Sequence, residues 1–167
     1  MKSLRIFAAL LVFAPVQVPA KPADREVGAW VISANEEDKG CSAMTSYGET
    51  HFVVSFEPGE DPMYLMFNSN WQSLRKLADQ IPLSITFHFG AGPPDSRRVT
   101  ATNVKTSTPA LIFQPESSFH GQFISAASMV IRNANNNQLV GNLTLDGTWP
   151  MHEALDECVT RREGERC

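Results

Sequence analysis

Apolar and polar residues alternate with a period of two through most of the chain between residues 27 and 114, which is the pattern of strands with one buried face. The clearest case is LSITFHF at 83–89, where four apolar side chains share one face and Ser84, Thr86 and His88 share the other. Glycine, proline and charged turn residues separate the segments. The pattern predicts seven strands, at 27–34, 41–47, 51–57, 63–69, 83–89, 97–105 and 108–114, and a short helical segment at 71–77.

The hydrophobic period changes to that of a helix after Pro115. Ser117 or Ser118 can cap this helix, and the Asn-rich tract 133–137 ends it. The apolar residues between them follow the spacing of one helical face: Phe119, Phe123, Ala126, Ala127 and Val130.

A last strand and a second helix complete the pattern. Residues 138–145 alternate again, Asp146-Gly147 forms a turn, and a helix capped by Thr148 runs to about Arg161. Strands followed by helix, strand and helix predict an α+β domain: an antiparallel β-sheet or sandwich of about seven to eight short strands packed by two C-terminal helices. A jelly roll or a pure β-sandwich is the competing architecture.

The first twenty residues have the composition of a secretory signal peptide. Lys2 and Arg5 precede an almost wholly apolar run over 6–16, and small residues stand at the third and first positions before a cut after Ala20. The apolar run is too short to cross a bilayer well. We therefore expect cleavage after Ala20 and a periplasmic or secreted protein. The predicted organisation is a signal peptide at 1–20, a single α+β domain at 21–160 and a C-terminal tail at 161–167.

Charge and hydropathy exclude two classes of partner. Removal of Lys2 and Arg5 with the signal takes the net charge from −4 to −6, and no concentrated basic patch is visible, so we expect no nucleic acid. No later segment has eighteen consecutive apolar residues, so the rest of the chain is not expected to span a membrane.

The three cysteines, Cys41, Cys158 and Cys167, enter an oxidising compartment if the chain is exported, so at least one disulfide is expected. Chain entropy gives about 4–5 kcal/mol for a Cys41–Cys158 link and roughly 2.5–3 kcal/mol for Cys158–Cys167. Entropy does not select a pairing. A helical wheel turns Cys158 toward the core, however, and this favours the Cys41–Cys158 disulfide.

The stretch LDGTWPMHEALDEC at 145–158 combines a histidine, carboxylates and a cysteine. Placed on a helix, His152 and Asp156 lie on the arc opposite Cys158, so no cysteine–histidine nucleophilic pair can form within the helix. Two exposed ligands make a weak metal site. We predict no metal ion, no cofactor and no catalytic residue here.

Two other features are compatible with chemistry or binding. Ser73 and Lys76 have the SxxK spacing of serine acyltransferases, but the companion SDN and KTG motifs are absent. No histidine lies in an HxH or HExxH arrangement. Most phenylalanines are expected in the core, whereas Trp30 and Trp71 can line a groove for an apolar ligand or a partner edge.

The two ends of the chain resemble a known family. VGAWVIS soon after the signal, Cys41 about ten residues later and the closing LTLDGTWPMHEALDEC are similar to the invasion-associated locus B type of exported alphaproteobacterial proteins. That family tends to carry a cysteine just after the tryptophan strand, where this chain has Ser33 and Ala34. The resemblance implies a small non-enzymatic protein of the periplasm or outer surface, and it assigns no functional residue.

These observations favour a non-catalytic binding or accessory module of the bacterial envelope. Its expected partner is another envelope protein or a small apolar ligand. The alternative is a small envelope hydrolase that uses Ser73 and Lys76, or a serine–histidine set that the fold assembles.

Overall fold

The alternating segments pair into one antiparallel sheet in the computed structural model, which describes residues 24–35 and 40–164 except the side chains of Gln72 and Ser73. Ten strands lie within those residues: β1 (Arg25–Val27), β2 (Trp30–Ala34), β3 (Cys41–Tyr47), β4 (Thr50–Phe56), β5 (Met63–Phe67), β6 (Gln80–His88), β7 (Asp95–Val104), β8 (Ala110–Phe113), β9 (Ser128–Asn133) and β10 (Leu139–Thr144). The helices are α1 (Ser118–Ser125), α2 (Thr148–Gly164) and a 3₁₀ helix (Gln72–Lys76). The predicted α+β class and antiparallel sheet are therefore confirmed.

The strand order is β1-β2-β3-β4-β5-β8-β7-β6-β9-β10, and the sheet is open. The first five strands follow one another as hairpins. The chain then passes through the 3₁₀ helix to β6, returns through β7 and β8 to pair with β5, and crosses through α1 to place β9 beside β6. Residues distant in sequence therefore meet in the second half of the sheet.

One face of the sheet is buried by the helices. Along β3 the side chains of Cys41 and Ala43 are fully buried, whereas Met44 is 40% exposed on the other face. Phe123 of α1 and Leu155 of α2 are fully buried against this inner face. Alternation in the strands and helical spacing in α1 and α2 thus supply the two sides of one core.

The first predicted strand is a hairpin. Residues 27–34 alternate as expected, but Gly28 has a φ of 60° and turns the chain, so that Val27 of β1 pairs with Trp30 of β2. A glycine reaches this left-handed conformation without steric cost, which suits a two-residue hairpin turn.

The first predicted helix is too long. It ends at Ser125 rather than continuing through Val130, since Ala126 adopts an extended conformation. Met129 and Ile131 are both fully buried, which is the period of a strand, and Ile131 pairs with Ile85 of β6. The extra hairpin at the start of the sheet and strand β9 raise the number of strands above the predicted seven to eight. Of the two predicted C-terminal helices, only α2 is C-terminal.

The predicted C-terminal tail begins inside a helix, because α2 runs to Gly164 rather than to about Arg161. The predicted signal peptide, its cleavage point after Ala20 and Cys167 lie outside the described residues. Within the described part of the chain, no helix is long and apolar enough to cross a membrane.

A disulfide joins α2 to the sheet. Cys41 of β3 and Cys158 of α2 form the predicted bond, with 6.1 Å between their Cα atoms. Two contacts near it hold α2 to the first strands: Arg25 pairs with Glu157 at 2.6 Å, and Arg162 Nη2 donates to the carbonyl of Asn35 at 2.8 Å. The prediction of the Cys41–Cys158 pairing is confirmed.

We expect replacement of Cys41 and Cys158 by alanine to lower the free energy of unfolding by about 4–5 kcal/mol, because the bond closes a loop with a sequence separation of 117 residues. Urea unfolding followed by circular dichroism measures the difference. Wild-type protein unfolded in reductant serves as the control and should match the double variant. A loss below about 1 kcal/mol in both would contradict a main role in restricting the unfolded chain.

Candidate functional site

Trp30 does not lie on a binding surface. It is 1% exposed, and its ring makes edge contacts with Phe52 and Phe123, at centroid distances of 6.4 and 6.2 Å. It is therefore part of the core, and the prediction that Trp30 lines a groove is wrong. The sequence could not distinguish the two roles, since an aromatic residue in an alternating strand fits either one.

Trp71 lines a small apolar cavity at the margin of the sheet. The 3₁₀ segment supplies one wall and the β9–β10 hairpin supplies the other, and the cavity volume is about 90 Å³. Leu139 stands at the rim with 52% of its surface exposed. The lining residues are Trp71, Leu74, Leu77, Ile81, Leu111, Leu139 and Val140, with Asn133 and Gln138 as the polar members.

Two buried asparagines hold the walls of this cavity. Asn103 Nδ2 donates to the carbonyls of Leu74 and Ala78, at 2.7 and 3.1 Å, and so fixes the 3₁₀ segment against β7. Asn133 Oδ1 accepts from the backbone N–H of Asn135 at 2.9 Å and so fixes the β9–β10 turn. Because buried amides are costly unless hydrogen-bonded, these contacts favour one conformation of each wall.

The predicted pair of Ser73 and Lys76 falls within the 3₁₀ helix. The side chain of Ser73 lies outside the described part, and Lys76 is exposed. A catalytic role for Ser73 and Lys76 therefore stays a hypothesis.

Strand register brings together a different serine–histidine pair. Ser46 of β3 lies opposite His51 of β4, and Ser46 Oγ is 2.9 Å from His51 Nδ1. The His51 ring stacks on Phe67 with centroids 4.7 Å apart. Among the described residues no carboxylate hydrogen-bonds to His51, and neither member of the pair lines the Trp71 cavity. In the part of the chain that the structure describes, this pair therefore has no third group that would orient the imidazole as a base.

One residue of the α2 face that was predicted to be solvated, His152, meets α1, whereas Asp156 is exposed as predicted. His152 is half-buried, and its Nδ1 lies 3.2 Å from Nε2 of His120. The other nitrogen of His120, Nδ1, lies 2.8 Å from the hydroxyl of Tyr64, which is fully buried in β5. A line of polar contacts thus runs from the core through two imidazoles toward the surface. Sequence spacing missed it, because the two histidines belong to separate helices.

Burial determines the protonation states of Tyr64 and His120. Burial, with a smaller contribution from the charge of His152, lowers the pKa of His120 to about 4. Burial also raises the pKa of Tyr64 well above its ordinary value. At neutral pH the Tyr64 phenol therefore keeps its proton, and the His120 imidazole is neutral with one nitrogen lone pair available.

The outer face of the sheet carries a second apolar feature. Val31, Met44, Val53, Leu65 and Ile112 lie directly opposite one another across five successive strands. We call these residues the outer row. Met44 is the most exposed member, and the other four are half-buried.

Comparison with known proteins adds no relative: no family model, curated protein or solved structure matches the chain.

We expect the free energy of unfolding to rise between about pH 4 and pH 6.5, because His120 has a pKa of about 4 when folded and an ordinary value near 6.5 when unfolded. The unfolded chain binds more protons in this window, so the contribution is complete above pH 6.5 and is lost toward pH 4. One pKa unit equals about 1.4 kcal/mol, and partial exposure of the ring reduces the effect to about 1–2 kcal/mol in total.

The measurement is urea unfolding across this pH range in chelator-treated buffer, for wild type and His120→Gln. The gain in stability with pH should be smaller in the variant. His51→Gln on the outer face is the matched control, because it removes a histidine and leaves the contacts of His120 in place. Equal slopes for wild type and His120→Gln would show that His120 does not titrate in this way.

Proposed function

We propose that this protein is an exported, non-catalytic binding module of the bacterial envelope that holds an apolar group of its partner in the Trp71 cavity. The observation that carries the proposal is the cavity itself, which has apolar walls on both sides and an exposed apolar residue, Leu139, at its rim. Pockets lined by apolar and aromatic side chains with a few polar groups are typical ligand sites.

The volume of the cavity indicates the size of its occupant. A cavity of about 150 Å³ accepts a benzene molecule. The Trp71 cavity, at about 90 Å³, is smaller and suits one branched aliphatic side chain. We therefore favour a protein or peptide partner that inserts a single apolar anchor over a larger free ligand such as a lipid. Anchors of this kind dominate the energy of many protein interfaces.

The disulfide and the first twenty residues support an envelope partner. The Cys41–Cys158 disulfide is typical of proteins in oxidising compartments, and the first twenty residues have the composition of a signal peptide. The resemblance to the invasion-associated locus B type points to the same compartment. These features support export, and the cavity supports binding.

We expect N-acetyl-leucinamide to bind in the cavity and to shift the signal of Trp71 in ¹⁹F spectra of protein labelled with 5-fluorotryptophan. The chain has three tryptophans, so Trp30 in the core and Trp149, which is 55% exposed, are internal references that should not move. Leu139→Asp should abolish the shift, because an apolar group bound in the cavity would remove water from the new carboxylate, which costs free energy.

Met44→Asp is the matched control, since Met44 is also an exposed apolar residue but belongs to the outer row. This variant should bind the probe as wild type does. A shift of Trp149 alone, or equal binding by Leu139→Asp and wild type, would contradict the proposed site.

A hydrolase is the second candidate function, and the contact between Ser46 and His51 is the observation that favours it. We expect this pair not to act as a nucleophile and base, because the His51 ring stacks on Phe67 and no third group among the described residues orients it. A fluorophosphonate probe followed by peptide mass spectrometry should leave Ser46 unlabelled. Labelling that His51→Gln removes would establish Ser46 as a nucleophile and favour the hydrolase. The same spectra report on Ser73, with Lys76→Ala as its control.

A further inference from the structure

We propose that His120 and His152 form a two-histidine binding site for a divalent cation of the Cu²⁺ or Zn²⁺ type. Imidazole nitrogen suits these ions, whereas Mg²⁺ and Ca²⁺ require oxygen ligands. The site lies where α1 meets α2, and no residue that lines the Trp71 cavity takes part in it.

The distance between the two nitrogens fits a shared ion. Nε2 of His120 and Nδ1 of His152 are 3.2 Å apart. Two imidazole nitrogens on one tetrahedral ion stand about 3.3 Å apart when each bond to the metal is about 2.0–2.1 Å long. A tetrahedral ion such as Zn²⁺ bound to both nitrogens would lie to one side of the line that joins them, so each ring must tilt toward the ion while the distance between the nitrogens changes little.

Tyr64 is placed to orient His120 in one of its two neutral tautomers. Its hydroxyl oxygen, 2.8 Å from His120 Nδ1, can accept the N–H of that nitrogen. The lone pair of His120 is then on Nε2, the nitrogen that faces His152. A hydrogen bond from the second ring nitrogen is the usual way in which a protein orients a metal-bound histidine.

Aromatic rings surround the pair. Phe56 contacts both imidazoles, with centroid distances of 5.0 Å to His120 and 6.0 Å to His152, and Trp149 lies 6.1 Å from His152. These rings cover part of the pair, and apolar cover of this kind limits the access of solvent to a bound ion.

The protein supplies two ligands and leaves the other positions open. Among the described residues, no group of three or more histidine, cysteine, aspartate or glutamate side chains is close enough to hold a metal ion. The two cysteines of the disulfide are not available as thiolates. Water or a donor atom from a second molecule would complete the coordination, and the affinity should be higher for Cu²⁺ than for Zn²⁺.

Isothermal titration calorimetry of the untagged protein with CuCl₂, ZnCl₂ and MgCl₂ tests the site. We expect one Cu²⁺ to bind at this pair, a weaker Zn²⁺ and no Mg²⁺. His120→Gln and His152→Gln should each lower the Cu²⁺ affinity by at least tenfold. Tyr64→Phe should lower it by about 10- to 100-fold through loss of the hydrogen bond that orients His120.

The matched control is the double variant His51→Gln with His88→Gln, which removes the two histidines outside the pair and should keep the wild-type affinity. Circular dichroism checks that each variant is folded. Cu²⁺ binding that survives His120→Gln, or that the control variant loses, would place the ion elsewhere and overturn the proposal. Absence of heat with both Cu²⁺ and Zn²⁺ in the wild type would also overturn it.

A second measurement needs no substitution. Long-range ¹H–¹⁵N spectra of wild-type protein resolve the imidazole nitrogens of its four histidines. On addition of Zn²⁺ the signals of His120 Nε2 and His152 Nδ1 should shift together, and those of His51 and His88 should stay in place. Shifts confined to His51 or His88 would reject the site even if the variants fail to fold.

Discussion

Among the described residues, two helices keep one face of an open ten-stranded sheet out of water, and the positions of both candidate sites depend on this packing. An isolated helix as short as α1, with eight residues, is marginal in water, so burial of Phe119 and Phe123 must stabilise it. The longer helix α2 covers the first strands and is tied to β3 by the Cys41–Cys158 bond. Because this bond fixes α2 over the sheet, it also sets where α2 meets α1.

The histidine pair follows from that packing. His120 comes directly after Phe119, and His152 directly after Met151, and both of these preceding side chains are almost fully buried. Each histidine therefore lies at the edge of the buried face of its helix, and this edge is where α1 and α2 contact each other. A helical wheel drawn for α2 alone places His152 in solvent, since it contains no information about the neighbouring helix. The sequence does show a histidine next to a buried apolar residue on each of the two helices. Only the fold shows that the two histidines face one another.

Local patterns predicted what is local in this fold. Alternation located most strands, and the wheel turned Cys158 toward its partner, because both depend on residues a few positions apart. The same patterns failed where one residue changes the path, at Gly28 in the first hairpin and at Ala126, where α1 gives way to β9. The pairing of Ser46 with His51 depends on strand register, and the Trp71 cavity depends on β9 returning beside β6. Neither is visible as a spacing in the chain.

The two candidate sites have different physical origins, and this affects what each can do. The histidine pair lies between two helices, and apolar packing and the Cys41–Cys158 bond hold these helices to the sheet. The Trp71 cavity lies at a margin of the sheet, where Asn103 and Asn133 fix its walls through hydrogen bonds to backbone groups. Walls that are ordered before binding reduce the entropy that an incoming group must lose, which favours a specific anchor even in a small volume. The outer row has no such enclosure, since its residues lie on the outer face of the sheet, where Met44 is 40% exposed. Enclosure, rather than apolar area alone, is therefore what favours the Trp71 cavity over the outer row as the proposed binding site.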